Sequence, residues 1–397
     1  MSSPSPSVPS RSEAEPKAGH AALADFALAP ELIHLNHGSY GAVPNGVLAE
    51  QERIRRELER NPTGFFSEIY PRRVREAAAG TASYFGGRSD DWVFCENATS
   101  AINSVLASLP LGAGDELLTT SHAYGAVLKA LRLWAERKGG AVRIADVPPV
   151  VESDAQVADA IARALTARTR LLIVDHITSP TAIVLPVAEI VRRAHDAGVA
   201  VLVDGAHAPG QLALNVLEIG ADWYTGNAHK WFFAPRGCGL LWTAPNWQAI
   251  TRPGVLSHGT DKGYTAAFDW IGTRDVSPWL SLPKAAEAFD SFGGRTLMAR
   301  NRELANAAAN HIAERVSGLL TAPASMRASM ATVRLSHVTD LEGALNMRRK
   351  LAERGFVIAT NAFGERLCIR LSAQVYNDIS DYDRLADALL RLDFALQ

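Results

Sequence analysis

The chain has 397 residues, 47% hydrophobic and 21% charged, with a formal net charge of −2. That length accommodates one large and one smaller globular domain, and so little net charge gives no electrostatic argument for a nucleic acid or an anionic membrane as partner. The cysteines Cys95, Cys238 and Cys368 lie far apart without CxxC spacing, which argues against a disulfide framework and for a reducing, cytoplasmic setting; no apolar run approaches the roughly 20 residues of a membrane span.

Met1–His20 consists of Ser, Pro, Ala and charged residues, without the apolar core of a secretory signal. It predicts a disordered tail, set at residues 1–28. Leu32–Leu35 is a short apolar run ending in the turn Asn36–Gly41, whose Asn36 and His37 either approach a ligand or belong to a plain loop. A helix is predicted over Gly46–Arg60, with Val47, Leu48, Ile54 and Leu58 on one face and Asn61-Pro62 as its stop. A second runs over Pro71–Phe85 and stops at Gly86-Gly87. Trp92–Phe94 reads as a buried strand leading into a helix over Ala101–Leu109, with Asn97 or Thr99 as N-cap. Free N–H groups there outline a phosphate cradle, although any capped helix has the same outline.

From Glu116 the chain alternates. Strands are predicted at Glu116–Thr119, Val142–Ile144, Arg170–Val174 and Val199–Val203, and helices at Gly125–Lys138, Val157–Leu165 and Val187–Asp196. This spacing predicts an α/β fold, a parallel sheet with helices on both faces. Ligands then bind beyond the carboxyl ends of the strands. The polar residues at those ends include Thr99, His122, Tyr124, Asp175, Asp204, His207, Asn227, His229 and Lys230. Amine, carboxylates, imidazoles and hydroxyls thus converge on one crevice.

Lys230 lies between the apolar segments Ala221–Tyr224 and Gly239–Trp242, in a turn of small and polar residues. It is either a solvated hairpin lysine or the amine that forms a Schiff base with a carbonyl cofactor, pyridoxal phosphate. Asp204 follows a run of aliphatics and needs a cation: a pyridinium nitrogen, or else a structural partner or helix cap. Tyr124 either lies over a flat ring or belongs to the core. His207 is placed to donate to a ring phenolic oxygen, and Asn227 and His229 to bind phosphate. Beyond Trp242, helices at Pro283–Ser291 and Thr296–Val316 lead into alternating strands and helices up to Leu392. These predict a smaller α/β C-terminal domain over 286–397, after a large domain over 29–285. Arg370, among apolar neighbours, calls for a carboxylate, from an amino-acid substrate or from a structural acid.

The segments Leu35–Gly41, Asn97–Ala101, His122–Gly125, Asp175–Ala182, Asp204–His207, Asn227–Trp231, Gly272-Thr273 and Ile369–Ser372 with Tyr376-Asn377 together carry a resemblance. The chain resembles the class V aminotransferase-fold enzymes of pyridoxal-phosphate fold type I, and within them the isopenicillin N epimerase group. The resemblance implies a three-layer, mostly parallel large domain, a smaller α/β domain, and a homodimer with shared active sites. It implies pyridoxal 5'-phosphate bound to Lys230, with Asp204 at the pyridine nitrogen, His207 at the phenolic oxygen and Tyr124 stacked on the ring. Ala98, Thr99, Asn227 and His229 would hold the phosphate, joined by Thr273 from the neighbouring subunit. Arg370 would bind the substrate carboxylate, with Asn36 and His37 on the substrate side. The group is similar across epimerases and C–S β-lyases. Cysteine desulfurases share the fold but need a loop cysteine, and Ser317–Thr332 holds none. β-Elimination needs only Lys230 and a leaving group on Cβ; epimerisation also needs an acid on the opposite face, for which Tyr124 and His122 are candidates. The expectation is an enzyme acting at Cα of an amino acid by epimerisation or C–S β-elimination. An aminotransferase and a non-catalytic binding protein of the same fold are the alternatives.

Overall fold

The computed structural model describes residues 17–392. Its strands in chain order are β1 (Ile33–His34), β2 (Trp92–Cys95), β3 (Glu116–Thr120), β4 (Ala141–Ala145), β5 (Thr169–Asp175), β6 (Ala200–Gly205) and β7 (Trp223–Asn227). They continue with β8 (Gly239–Thr243), β9 (Leu319–Leu320), β10 (Met330–Val338), β11 (Phe356–Val357), β12 (Ala359–Phe363) and β13 (Arg366–Ser372). Strands β2 to β8 form one sheet in the order β2-β8-β7-β6-β5-β3-β4. Only β8 runs antiparallel to its neighbours; β7, β6, β5, β3 and β4 pair in parallel.

The central strands are unbroken apolar runs because both faces of the sheet are covered. Successive side chains alternate between the faces. Ile173 and Leu202 pack with the helices Ala98–Ser108 and Gly125–Lys138, while Leu172, Val174, Val201 and Val203 pack with the helices Asp154–Ala164 and Val187–Asp196. All six are buried, and each contributes about 1.5–3 kcal/mol relative to exposure. The result is the expected three-layer arrangement.

A second sheet, β12-β13-β10-β9, is antiparallel throughout. The helices Arg295–Arg315 and Ile379–Leu390 cover it, with Ile312, Leu385 and Leu389 closing a core on Ile369 and Leu371. The chain's first strand belongs to this part: β1 pairs in parallel with β11, Ile33 opposite Phe356.

Several boundaries differ from the expectation for physical reasons. Residues 1–16 of the predicted tail lie outside the described residues. Gly19–Asp25, also assigned to that tail, forms a 3-10 turn. Its Ala22 and the following Phe26 are buried in the main core. The Gly19 N–H donates to the Val375 carbonyl at 2.7 Å, and the His20 ring lies 2.9 Å from Asp381. The helix predicted from Ala101 begins at Ala98, because Asn97 caps it: Asn97 Oδ1 accepts the Ser100 N–H at 3.0 Å. The turn after Leu35 is helical over His37–Tyr40. Strands β6 and β7 run past their apolar stretches to Gly205 and Asn227, because backbone pairing continues there regardless of side-chain polarity. Among the described residues no helix is long and apolar enough to cross a membrane.

Candidate active site

Lys230 sits in the four-residue helical turn Ala228–Trp231, directly after β7. The chain leaves this turn through Phe233, held at φ 62, and the Ala234 N–H donates back to the Ala228 carbonyl at 3.1 Å. The lysine enters a cavity of about 640 Å³ at the carboxyl ends of β5, β6 and β7. Its Nζ stands 3.2 Å from His207 Nε2. Burial, and then the charge of Arg370, push this amine down to about 7, while Asp204 and Asp175 act against the shift. An amine of that basicity is neutral for a large part of the time near neutral pH, as a nucleophile or proton acceptor must be.

Two carboxyl groups stand on the same wall. Asp204, at the end of β6, is 4% exposed, and its Oδ1 accepts the Ala206 N–H at 2.9 Å. Asp175, at the end of β5, is its register partner. Neither has a cation within ion-pair distance among the described residues. Burial raises both above the ordinary carboxyl range, and the charge of Asp204 raises Asp175 further. Buried carboxylates without a counter-ion are costly, and a pyridinium nitrogen is a cation that fits beside Asp204.

The phosphate end is built where β2 runs into its helix. The Ala98 N–H donates to Asn227 Oδ1 at 2.8 Å, tying the helix start to the end of β7. Gly239 of β8 approaches so closely that a Cβ there would lie 2.6 Å from the Asn97 Cα. Thr99 and His229 border the cavity beside them. Burial, then the Lys230 charge, lower the His229 imidazole to about 4, so the ring is neutral, and its Nδ1 donates to the Cys238 carbonyl at 3.2 Å. Helix start, amide and hydroxyl together fit a phosphate.

At the opposite end Arg370, on β13, is 4% exposed. Its Nη1 donates to the Ser179 carbonyl at 2.7 Å, and its Nη2 to Asn36 Oδ1 at 3.2 Å and Ser39 Oγ at 3.1 Å. Its Nε is buried without a partner. No carboxylate pairs with it among the described residues, and burial alone brings it down to about 10. A buried, oriented guanidinium without a counter-ion is a site for a carboxylate.

Of the residues singled out in the sequence, Asn36, Ala98, Thr99, Tyr124, Asp204, His207, Asn227, His229, Lys230 and Arg370 border this one cavity. Tyr124 is 46% exposed, so it is no core tyrosine. His37 is corrected: it is fully buried behind the cavity, with Nε2 2.8 Å from the Lys230 carbonyl and Nδ1 2.9 Å from the Tyr376 hydroxyl. His122 is also off the wall. Its ring is engaged by Thr181 Oγ1 at 2.7 Å and the Pro148 carbonyl at 3.0 Å, which leaves no nitrogen for substrate. Thr273 is exposed and lies off the cavity. Asp175, one of the strand-end residues of the sequence reading but given no role there, borders the cavity as well. Ser39 and Ser179, which orient Arg370, had no role assigned from the sequence. All three cysteines are buried and unpaired, and none borders the cavity.

A lysine and a carboxylate facing one cavity at adjacent strand ends, in a sheet of this order, meet the requirements of a pyridoxal-phosphate enzyme of fold type I. The class-V aminotransferase profile matches residues 61–385, and the chain belongs to that family. It is 33% identical over 383 residues to isopenicillin N epimerase of Streptomyces clavuligerus, covering 91% of this chain and 95% of the other. It is 29% identical over 399 residues to an L-cysteine desulfhydrase of Arabidopsis thaliana, covering 91% and 88%. Two solved structures share the fold. One is the cysteine desulfurase of Thermococcus onnurineus NA1, at TM-score 0.78 and 16% identity, covering 95% of this chain and 98% of that one. The other is the cystine C–S lyase C-DES in complex with cysteine persulfide, at TM-score 0.77 and 22% identity, covering 91% and 97%.

Proposed function

We propose that this protein removes the Cα proton of an amino acid with Lys230, and then either expels a sulfur leaving group from Cβ or delivers a second proton to Cα from the opposite face. The observation that carries this reading is the buried Arg370, without a counter-ion, in the same cavity as Lys230 and Asp204. Such a cavity takes a group with a carboxylate at one end and an amine at the other.

When bound, pyridoxal phosphate supplies an aldehyde for an amine and an electron sink for negative charge at Cα. Asp204 would hold the positive charge of the ring nitrogen, His207 would meet the phenolic oxygen, and Thr99, Asn227 and His229 would hold the phosphate. Arg370 fixes the substrate carboxylate, so that Cα faces Lys230. The Lys230 Nζ, neutral near its lowered titration point, would accept the Cα proton of a substrate so held.

Elimination asks nothing more of the chain than these groups. The epimerase reading is favoured by Tyr124, a half-exposed hydroxyl on the cavity wall that is a candidate to supply a proton from the second face, and by the similarity to isopenicillin N epimerase. The protein works as a homodimer in the cytoplasm. Tyr40 and Leu256, 74% and 67% exposed, offer a second copy an apolar rim, and that copy supplies Thr273 to the phosphate. Three reduced, buried thiols suit that compartment.

The test is incubation of the holoprotein with L-amino acids in deuterated water. Deuterium at Cα with inverted chirality identifies epimerisation; pyruvate with a released thiol, sulfide or sulfenate identifies elimination. Release of the matching keto acid with build-up of the aminated cofactor, reversed when a second keto acid is added, would instead make the protein an aminotransferase and overturn the proposal.

A further inference from the structure

The turn His37–Tyr40 touches both ends of the cavity at once. On one side Asn36 Oδ1 and Ser39 Oγ accept hydrogen bonds from Arg370 Nη2 at 3.2 and 3.1 Å. On the other side His37 reaches the backbone of the reacting lysine: its Nε2 lies 2.8 Å from the Lys230 carbonyl oxygen. That oxygen can only accept, so Nε2 carries the proton and Nδ1 accepts from the Tyr376 hydroxyl at 2.9 Å. The ring is fully buried and packs on Trp231, with centroids 4.9 Å apart. Gly41 closes the contact. A Cβ there would lie 2.2 Å from the His229 carbonyl oxygen and 2.9 Å from that of Lys230, and its φ of +71 favours glycine in any case. The two backbones therefore lie directly on each other.

The same turn is tied to the smaller sheet. It follows β1, which pairs with β11, and Tyr376, four residues beyond the end of β13, also touches His34 at 3.3 Å. Lys230 belongs to the large sheet and Arg370 to the small one, and this turn is bonded to both.

We propose that His37 is a positioning residue: through its bond to the Lys230 carbonyl, and with Asn36 and Ser39 bonded to Arg370, it sets the separation between the reacting amine and the carboxylate-binding guanidinium. The proposal rests on the functional reading above, in which one substrate must meet both groups at the same moment. The chemistry is sensitive to that separation, since a misplacement of about 1 Å costs on the order of 100-fold in rate. His37, a substrate-side candidate in the sequence reading, lies behind the lysine in the structure.

The experiment uses the holoprotein and three variants. His37→Phe keeps a ring against Trp231 but removes the bonds to Lys230 and Tyr376 and the 3.2 Å contact of Nε2 with the Gln374 amide. It should bind the cofactor with its usual absorbance and lower kcat by about 100-fold, while the inhibition constant of propionate, a carboxylate without the amine, stays unchanged. His37→Gln, whose amide can still donate to the Lys230 carbonyl, should recover most of the lost kcat. An unchanged kcat in His37→Phe, or kcat and propionate binding that decline together with melting temperature, would overturn the proposal. Should His37→Phe fail to fold, Tyr376→Phe decides: it removes one hydroxyl from Nδ1, and a kcat equal to that of the unaltered protein refutes the spacer. Lys230→Ala separates the two levels, because retention of turnover there would sink the functional reading whatever His37 does.

Discussion

Replacement of Arg370 is the most searching perturbation of the substrate end. The guanidinium is held by three neighbours before any ligand arrives: the Ser179 carbonyl, Asn36 and Ser39. It pays no ordering entropy when a carboxylate docks. Loss of one partner of a buried, hydrogen-bonded charge pair costs about 2–5 kcal/mol, and at 1.4 kcal/mol per tenfold this is about 30-fold to several thousand-fold in kcat/KM. The fixed orientation and the missing counter-ion place Arg370→Ala toward the upper end, about 1000-fold. Arg370→Lys keeps the charge but loses the fork, and should fall between. The assay is a cycle: kcat/KM for the amino acid and for the matching amine without its carboxylate, on the unaltered protein and on each variant. The unaltered protein should discriminate between the two substrates by that factor, and Arg370→Ala should not. Equal losses on both substrates would show that Arg370 serves the fold and not the carboxylate. The same variant has a second readout. The Arg370 charge helps to depress the Lys230 amine, so its removal should move the lysine's titration upward.

Two further outcomes follow from the cavity. With the amine at about 7, the neutral form that attacks an aldehyde increases as pH rises through that value. The rate at which the apoprotein takes up pyridoxal phosphate should therefore climb from pH 6 to 8 and level off; a rate still rising toward pH 10 would mean an ordinary, solvated lysine. Asp204→Asn keeps the shape but removes the charge facing the ring nitrogen. Breaking a buried pair costs about 3–5 kcal/mol, so the cofactor should dialyse away far more readily, and retention equal to that of the unaltered protein would remove the pyridine contact.

The main sheet was legible because its strands are apolar on both faces and so stand out as unbroken runs, such as Leu171–Val174 and Val201–Val203. Asp204 and Arg370 stood out for the complementary reason, as charges set among aliphatics. His37 was placed wrongly because a histidine in a glycine-rich turn has the same local signature whether it faces a cavity or the back of one. Its role is decided by Lys230 and Tyr376, which lie 193 and 339 positions away. Ser39 and Ser179 received no role from the sequence, as serines are common in turns and only contact with Arg370 sets these two apart. The first residues of the fold were lost in a Ser- and Pro-rich stretch whose composition hides the two apolar anchors, Ala22 and Phe26.

The thiols carry a consequence for whatever leaves this cavity. Burial raises Cys95 and Cys238 beyond the range in which a thiolate forms, and brings Cys368 up to about 11. In the elimination reading, a sulfur atom cleaved from the substrate meets no cysteine on the cavity wall among the described residues. The expected product is then a small diffusible species whose hand-over to an acceptor begins in bulk water.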